Sequence, residues 1–205
     1  IKGVILSGSP FSVRDENAPD PDLIAIKGKI PLLGVCYGAQ FLVHSNKGKV
    51  LPSKIREYGR ANLSEVDSHS NLLTNVDIDS QVWMSHGDTI QELPSGFKKI
   101  CSTSDVVNAG FEINNENTYG IQFHPEVYHS TDGMQLLKNF VVNISNCKQD
   151  WTPDSFVDVT INNLKNELGN LGENKLLLIT AVKIMDEYFE TKKNIDNKKS
   201  ELRDL

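Results

Sequence analysis

The sequence predicts an α/β sandwich followed by a helical C-terminal tail. Two short apolar runs, Val4-Ile5-Leu6 and Ile30-Pro31-Leu32-Leu33-Gly34-Val35, have the composition of buried parallel strands. The second runs directly into Cys36-Tyr37-Gly38-Ala39-Gln40 and then Phe41-Leu42-Val43-His44, which reads as strand, tight turn, helix. A helical pattern returns at residues 133–142. Buried strands, a strand-to-helix junction and a returning helix fit helices layered on a sheet.

The first strand stops at Ser7-Gly8-Ser9-Pro10, a turn sequence. Residues 11–22, acidic and carrying Pro19 and Pro21, read as an exposed loop, and residues 23–27 as a short helix. From 48 to 123 the pattern favours strands at 49–51, 61–63, 82–84, 98–100 and 119–123, punctuated by turn formers such as Leu93-Pro94-Ser95-Gly96. In the 133–142 helix, Met134, Leu137, Phe140 and Val141 fall on one stripe.

A polar, turn-rich stretch at 147–153 marks a boundary, giving a domain over 1–147, a linker and helix over 148–172, and a helical tail over 173–205. The linker helix covers 154–168 with Phe156, Ile161, Leu164 and Leu168 inward, and Gly169 and Gly172 break it. In the tail, Leu178, Val182, Met185 and Phe189 step by four, three and four, a coiled-coil-like seam suited to packing on its own domain or on a second copy.

Composition narrows the function. No apolar run approaches the roughly 20 residues that span a bilayer, and no secretory leader opens the chain. A net charge of −6 argues against nucleic acid as a partner, because phosphate contacts need clustered Lys and Arg. Lys192, Lys193, Lys198 and Lys199 are interleaved with acidic residues, the pattern of a solvated helix face. Cys36, Cys101 and Cys147 form no C-x-x-C pair, which fits neither a disulfide framework nor a zinc site and points to a reducing, cytoplasmic setting.

Gly34-x-Cys36-x-Gly38 at the strand-to-helix junction has the logic of a nucleophile elbow: a sharp turn exposes one side chain, and small neighbours let the backbone turn. A packed cysteine in a tight turn fits the same pattern equally well. The following helix directs N–H groups at the site, which favours a thiolate and a developing oxyanion. His124-Pro125-Glu126 supplies a base for a thiol and a carboxylate to orient it, with Pro125 fixing the backbone between them. Alone, it is a turn without chemistry; beside the elbow, it completes a triad. His86-x-Asp88 lacks further ligands at suitable spacing, so no metal site is expected, and His44, His69 and His129 are read as surface or structural residues.

Gly34-Val35-Cys36-Tyr37-Gly38-Ala39-Gln40 with His124-Pro125-Glu126 resembles the class I (triad) glutamine amidotransferases, whose fold is flavodoxin-like. Further blocks are similar to the glutaminase half of the GMP synthase family: Ser7-Gly8-Ser9-Pro10-Phe11-Ser12-Val13, Arg56-Glu57-Tyr58-Gly59-Arg60-Ala61, Trp83-Met84-Ser85-His86-Gly87-Asp88, and Val127-x-His129-Ser130 with Gly133, Leu137, Asn139 and Phe140. The resemblance covers roughly residues 1–168.

The resemblance implies that Cys36 attacks the glutamine amide, that His124 moves the proton and that Glu126 holds its ring. It implies an oxyanion hole at the backbone of Tyr37 and of Gly8-Ser9, and substrate contacts at Gln40, Ser85 and His86. Ser9 stands where the family's turn has Gly; a backbone donor survives that change. The implied reaction is glutamine to glutamate and ammonia, without a cofactor, with ammonia passed to an ATP-pyrophosphatase (synthetase) domain or subunit that aminates XMP using ATP and Mg.

Two departures from the family pattern stand out. The family's first strand and helix have no counterpart, and the chain opens inside a strand without an initiator Met. After Gly169 no phosphate loop of the synthetase half follows, so this chain is not expected to make GMP by itself. The tail from Asn174 is weakly similar to the helix entering the coiled coil of ZapA-type proteins. The alternatives are a catalytically silent interaction module and the glutaminase of another pathway, such as anthranilate synthesis.

Overall fold

In the computed structural model the backbone is described at residues 1–150, 152–168 and 173–201, with side chains other than those of 54–57, 154, 164, 165, 167, 168, 173, 174, 176 and 193–201. The chain divides into two compact units, Ile1–Cys147 and Lys148–Leu205.

The first unit is built on a seven-stranded sheet in the order β1-β2-β7-β6-β5-β3-β4. The strands are β1 (Val4–Leu6), β2 (Leu32–Val35), β3 (Lys49–Val66), β4 (Gln81–Glu92), β5 (Phe97–Thr103), β6 (Gly110–Ile113) and β7 (Thr118–Ile121). β1, β2 and β7 run parallel, and the remaining pairings are antiparallel. β1 is an edge, with Ile5 44% exposed.

Alternation along β2 divides the core. Leu32 joins the cluster under α1 (Tyr37–Ser45), with Ala39, Leu42 and Phe111. Leu33 and Val35 join the opposite cluster, with Ile121, Phe123, Leu136 and Phe140. Both faces of this strand are thus buried, as its unbroken apolar run requires.

Several local expectations are corrected. Residues 23–27 form hydrogen-bonded turns rather than a regular helix, with Ile26 N–H on the Leu23 carbonyl at 2.9 Å and Gly28 at φ +70 diverting the chain. The segments at 49–51 and 61–63 belong to one long β3, whose register against β4 shifts between Pro52 and Glu57; a proline cannot donate to a ladder. β6 was not anticipated.

The returning helix splits into α2 (Gly133–Lys138) and a π-helical turn, Asn139–Ile144. Met134 is 75% exposed and Val141 also faces out; the buried positions are Gly133, Leu136, Asn139 and Phe140. The wide turn brings Asn139 and Phe140 inward together. The Asn139 amide donates to the carbonyls of Leu72 (3.0 Å) and Thr74 (2.7 Å), which satisfies a fully buried polar group.

The second unit holds α3 (Pro153–Leu168) and α4 (Glu173–Glu201). Thr152 and Ser155 exchange side-chain-to-backbone bonds of 2.8 and 3.0 Å, a reciprocal cap for a helix that opens on proline. Phe156 is 39% exposed, Ile161 is half-buried, and the side chains of Leu164 and Leu168 lie outside the described residues. In α4 only Thr180 is buried among the described side chains, while Leu178, Val182, Met185 and Phe189 are all more than half exposed. Residues 169–172, where a phosphate loop would begin, lie outside the described residues. No described helix is long and apolar enough to cross a membrane.

Candidate active site

Parallel pairing places Leu6, Gly34 and Gly120 side by side, so the carboxyl ends of β1, β2 and β7 open at one place. Gly8, Cys36 and His124 follow those ends by a few residues each. Ligands of open parallel sheets bind at such strand ends.

Cys36 sits between β2 and α1 at φ 53, ψ −109, outside the conformations a side-chain-bearing residue prefers. Such backbone strain costs about 1–3 kcal/mol and persists where its surroundings enforce it. Its N–H donates to the Ile121 carbonyl at 2.9 Å. Both flanks require glycine. A Cβ on Gly34 would stand 2.7 Å from the Ala39 nitrogen, and one on Gly38 only 2.3 Å from the Leu6 carbonyl oxygen. The elbow is therefore formed by close backbone approach.

His124 is held by its own N–H, which donates to the Trp83 carbonyl at 2.9 Å, and by Glu126, whose Oε1 lies 2.7 Å from Nδ1. Its hydrogen bond with the Cys36 side chain pushes its pKa up to about 9; burial opposes this and Glu126 adds to it. A Cβ on Gly8 would lie 3.3 Å from His124 Cε1 and 3.9 Å from Cys36 Sγ, so this turn closes directly over both groups. The Ser85 carbonyl lies 3.7 Å from Cys36 Sγ. Gly133 secures the other side of the His-Pro-Glu segment, because a Cβ there would meet the Pro125 carbonyl oxygen at 1.9 Å.

A cleft of about 940 Å³ opens over these groups. Gly8, Ser9, Cys36, Gln40, Ser85, His86 and His124 all line it. Ser9 keeps clear of the left-handed region, and its hydroxyl accepts the Phe11 N–H at 3.3 Å, folding the turn on itself. Tyr37 contributes its position at the start of α1 and not its ring, whose hydroxyl donates to the Pro19 carbonyl at 2.6 Å. Glu126 reaches the cleft only through His124. His86 is buried, which pushes its pKa down to about 4 and keeps it neutral. Gln40 donates to the Asp88 carbonyl at 2.8 Å.

Sequence reasoning assigned no role to Ser12, Arg14 or Asp88. The Asp88 carboxylate accepts from the Ser12 hydroxyl and, at 2.9 Å, from Arg14 Nη2. The available signal was that Ser12 and Arg14 follow the Gly8-Ser9 turn closely.

The family model for glutamine amidotransferase class-I matches residues 1–144. The chain belongs to this family. A second family model, cell division protein ZapA, matches residues 155–205. Among curated relatives of this amidotransferase, the GMP synthase [glutamine-hydrolyzing] of Cytophaga hutchinsonii is 59% identical over 169 residues, 82% of this chain and 33% of the relative. That of Christiangramia forsetii is 57% identical over the same shares. The chain spans about a third of the length of these relatives. The crystal structure of a GMP synthase subunit protein from Thermoplasma acidophilum shares the fold, with TM-score 0.60, 26% identity and coverage of 78% of this chain and 76% of that one.

Proposed function

We propose that this amidotransferase hydrolyses glutamine through Cys36, His124 and Glu126. The observation that carries the reading is the strained Cys36 elbow facing a histidine whose far nitrogen is 2.7 Å from a carboxylate. Cys36 Sγ gives its proton to the free ring nitrogen of His124 and attacks the side-chain amide carbon. The backbone N–H groups of Tyr37 and of the Gly8-Ser9 turn receive the oxyanion. One such donor is worth roughly a hundred- to a thousandfold in rate. As the C–N bond breaks, His124 returns the proton to nitrogen and ammonia leaves, with a γ-glutamyl thioester on Cys36. His124 then takes a proton from water, whose oxygen attacks the thioester. The C–S bond breaks, the thiolate regains the proton and glutamate departs. Gln40, with the backbone at Ser85 and His86, holds the amino-acid end of glutamine.

The names of the curated relatives support a destination for the ammonia: a synthetase domain or subunit that aminates XMP to GMP with ATP and Mg, neither needed for the glutaminase step. A free nucleophilic thiol suits a reducing cytoplasm. Cys36→Ala abolishes ammonia release if the assignment is right; release that survives this substitution removes Cys36 as the nucleophile.

A second property rests on α4. Its exposed Leu178, Val182, Met185 and Phe189 support self-association into a homodimer through the tail.

A further inference from the structure

The turn that closes over Cys36 has no regular secondary structure of its own. Residues 7–14 follow the end of β1 as bends and turns. Their backbone must nevertheless hold its donors in place, because catalysis by an oxyanion hole depends on preorganised geometry. What holds them lies on β4. The Ser12 hydroxyl and the Arg14 guanidinium both converge on the carboxylate of Asp88, one on each oxygen. The Asp88 side chain is 10% exposed and that of Arg14 40%, so the pair is shielded from solvent on the carboxylate side. The Arg14 N–H also donates to Ser12 Oγ at 3.2 Å, and Asp15 accepts the Ser12 N–H at 2.8 Å, so the segment moves as one piece. The Asp88 carbonyl meanwhile accepts from Gln40, on the helix that begins at the nucleophile.

We propose that Asp88 is a positioning residue: through Ser12 and Arg14 it latches the Gly8-Ser9 turn over Cys36, and through its carbonyl it ties that turn to Gln40. This rests on the catalytic reading above. It differs from a purely structural ion pair in one consequence. Loosening the latch moves the oxyanion donors while leaving the Cys36–His124 pair in place, because His124 is held independently by Trp83 and Glu126.

Two electrophiles separate these effects. Iodoacetamide alkylates Cys36 by displacement at carbon and needs no oxyanion hole. A glutamine-shaped chloromethyl ketone passes through a tetrahedral oxyanion and does. Rates of Cys36 modification are followed by intact mass for the unmodified chain, Asp88→Asn, Arg14→Ala and Arg14→Lys. The latch predicts that Asp88→Asn and Arg14→Ala slow the limiting chloroketone step by roughly ten- to a hundredfold, the scale of a small misplacement. The iodoacetamide rate and the half-saturating chloroketone concentration stay near their original values, and Arg14→Lys recovers most of the loss. Equal slowing of both reagents, no slowing, or a change confined to half-saturation overturns the latch. Failure of the unmodified chain to react selectively at Cys36 with the chloroketone removes the catalytic reading itself, and the latch with it.

Discussion

Glu126 accepts from the ring of His124 at 2.7 Å across a single proline, and it does so while half exposed to solvent. The catalytic histidine is thus oriented by a carboxylate that water and salt can reach. Its electrostatic contribution is smaller than that of a buried partner, and its geometric contribution dominates. Glu126→Ala is expected to lower kcat for glutamine hydrolysis by roughly a hundredfold with little change in KM, within the range for acid–base groups. Glu126→Gln, which keeps an acceptor, should retain more activity than Ala. Steady-state kinetics check this, and an effect confined to KM would place Glu126 in binding instead.

Two glycines near the site answer to different constraints. A Cβ on Gly38 would stand 2.3 Å from a β1 carbonyl oxygen, which only backbone movement can relieve. Gly38→Ala should therefore destabilise the fold by about 1–3 kcal/mol, a melting-temperature fall of roughly 3–10 °C. A Cβ on Gly8 would meet only the edge of the His124 ring at 3.3 Å. Gly8→Ala should leave the melting temperature nearly unchanged and depress hydrolysis. Thermal melts and an ammonia assay on both variants separate the cases.

His86 predicts an acid-side loss of stability. Burial pushes its pKa from 6.5 down to about 4, so the unfolded chain takes up a proton there before the folded chain does. The stability tied to its neutral form is fully present above pH 6.5 and is lost as pH falls toward about 4. His86→Gln removes this term. The stability difference between the original chain and this variant should shift against the original chain between those limits and be flat above them. A pH-independent difference would show that His86 titrates normally in the folded state.

The elbow was legible because its constraints are local. An unbroken apolar run for a strand buried on both faces, two glycines and one cysteine sit within seven residues. Other features depend on distant partners. β6 is four residues long and exists because β5 and β7 pair with it from either side. The α2 stripe was misread because a π-helical turn, anchored by Asn139 to carbonyls 67 and 65 residues away, breaks the period that the pattern assumes. The Ser12 and Arg14 contacts to Asp88 span 76 and 74 residues, and no local spacing encodes them. His124 and Cys36, equally distant in sequence, were legible only because each carries its own local motif.

The tail supplies the last prediction. Along α4, Leu178, Val182, Met185 and Phe189 are 66%, 51%, 55% and 55% exposed, and Leu177 and Tyr188 beside them are similarly open. Their four-three-four spacing puts them on one stripe, while the buried Thr180 faces another direction. Fully burying a side chain of this size is worth about 1.5–3 kcal/mol, so a stripe of four is a substantial driving force for association. Sedimentation of the full chain should show a dimer that dissociates on dilution. Met185→Ser with Phe189→Ser should shift it to monomer without altering chloroketone labelling of Cys36, since the labelled elbow belongs to the other compact unit. A chain that sediments as a monomer across the micromolar range, or a double variant that still dimerises, would remove the tail as the associating surface.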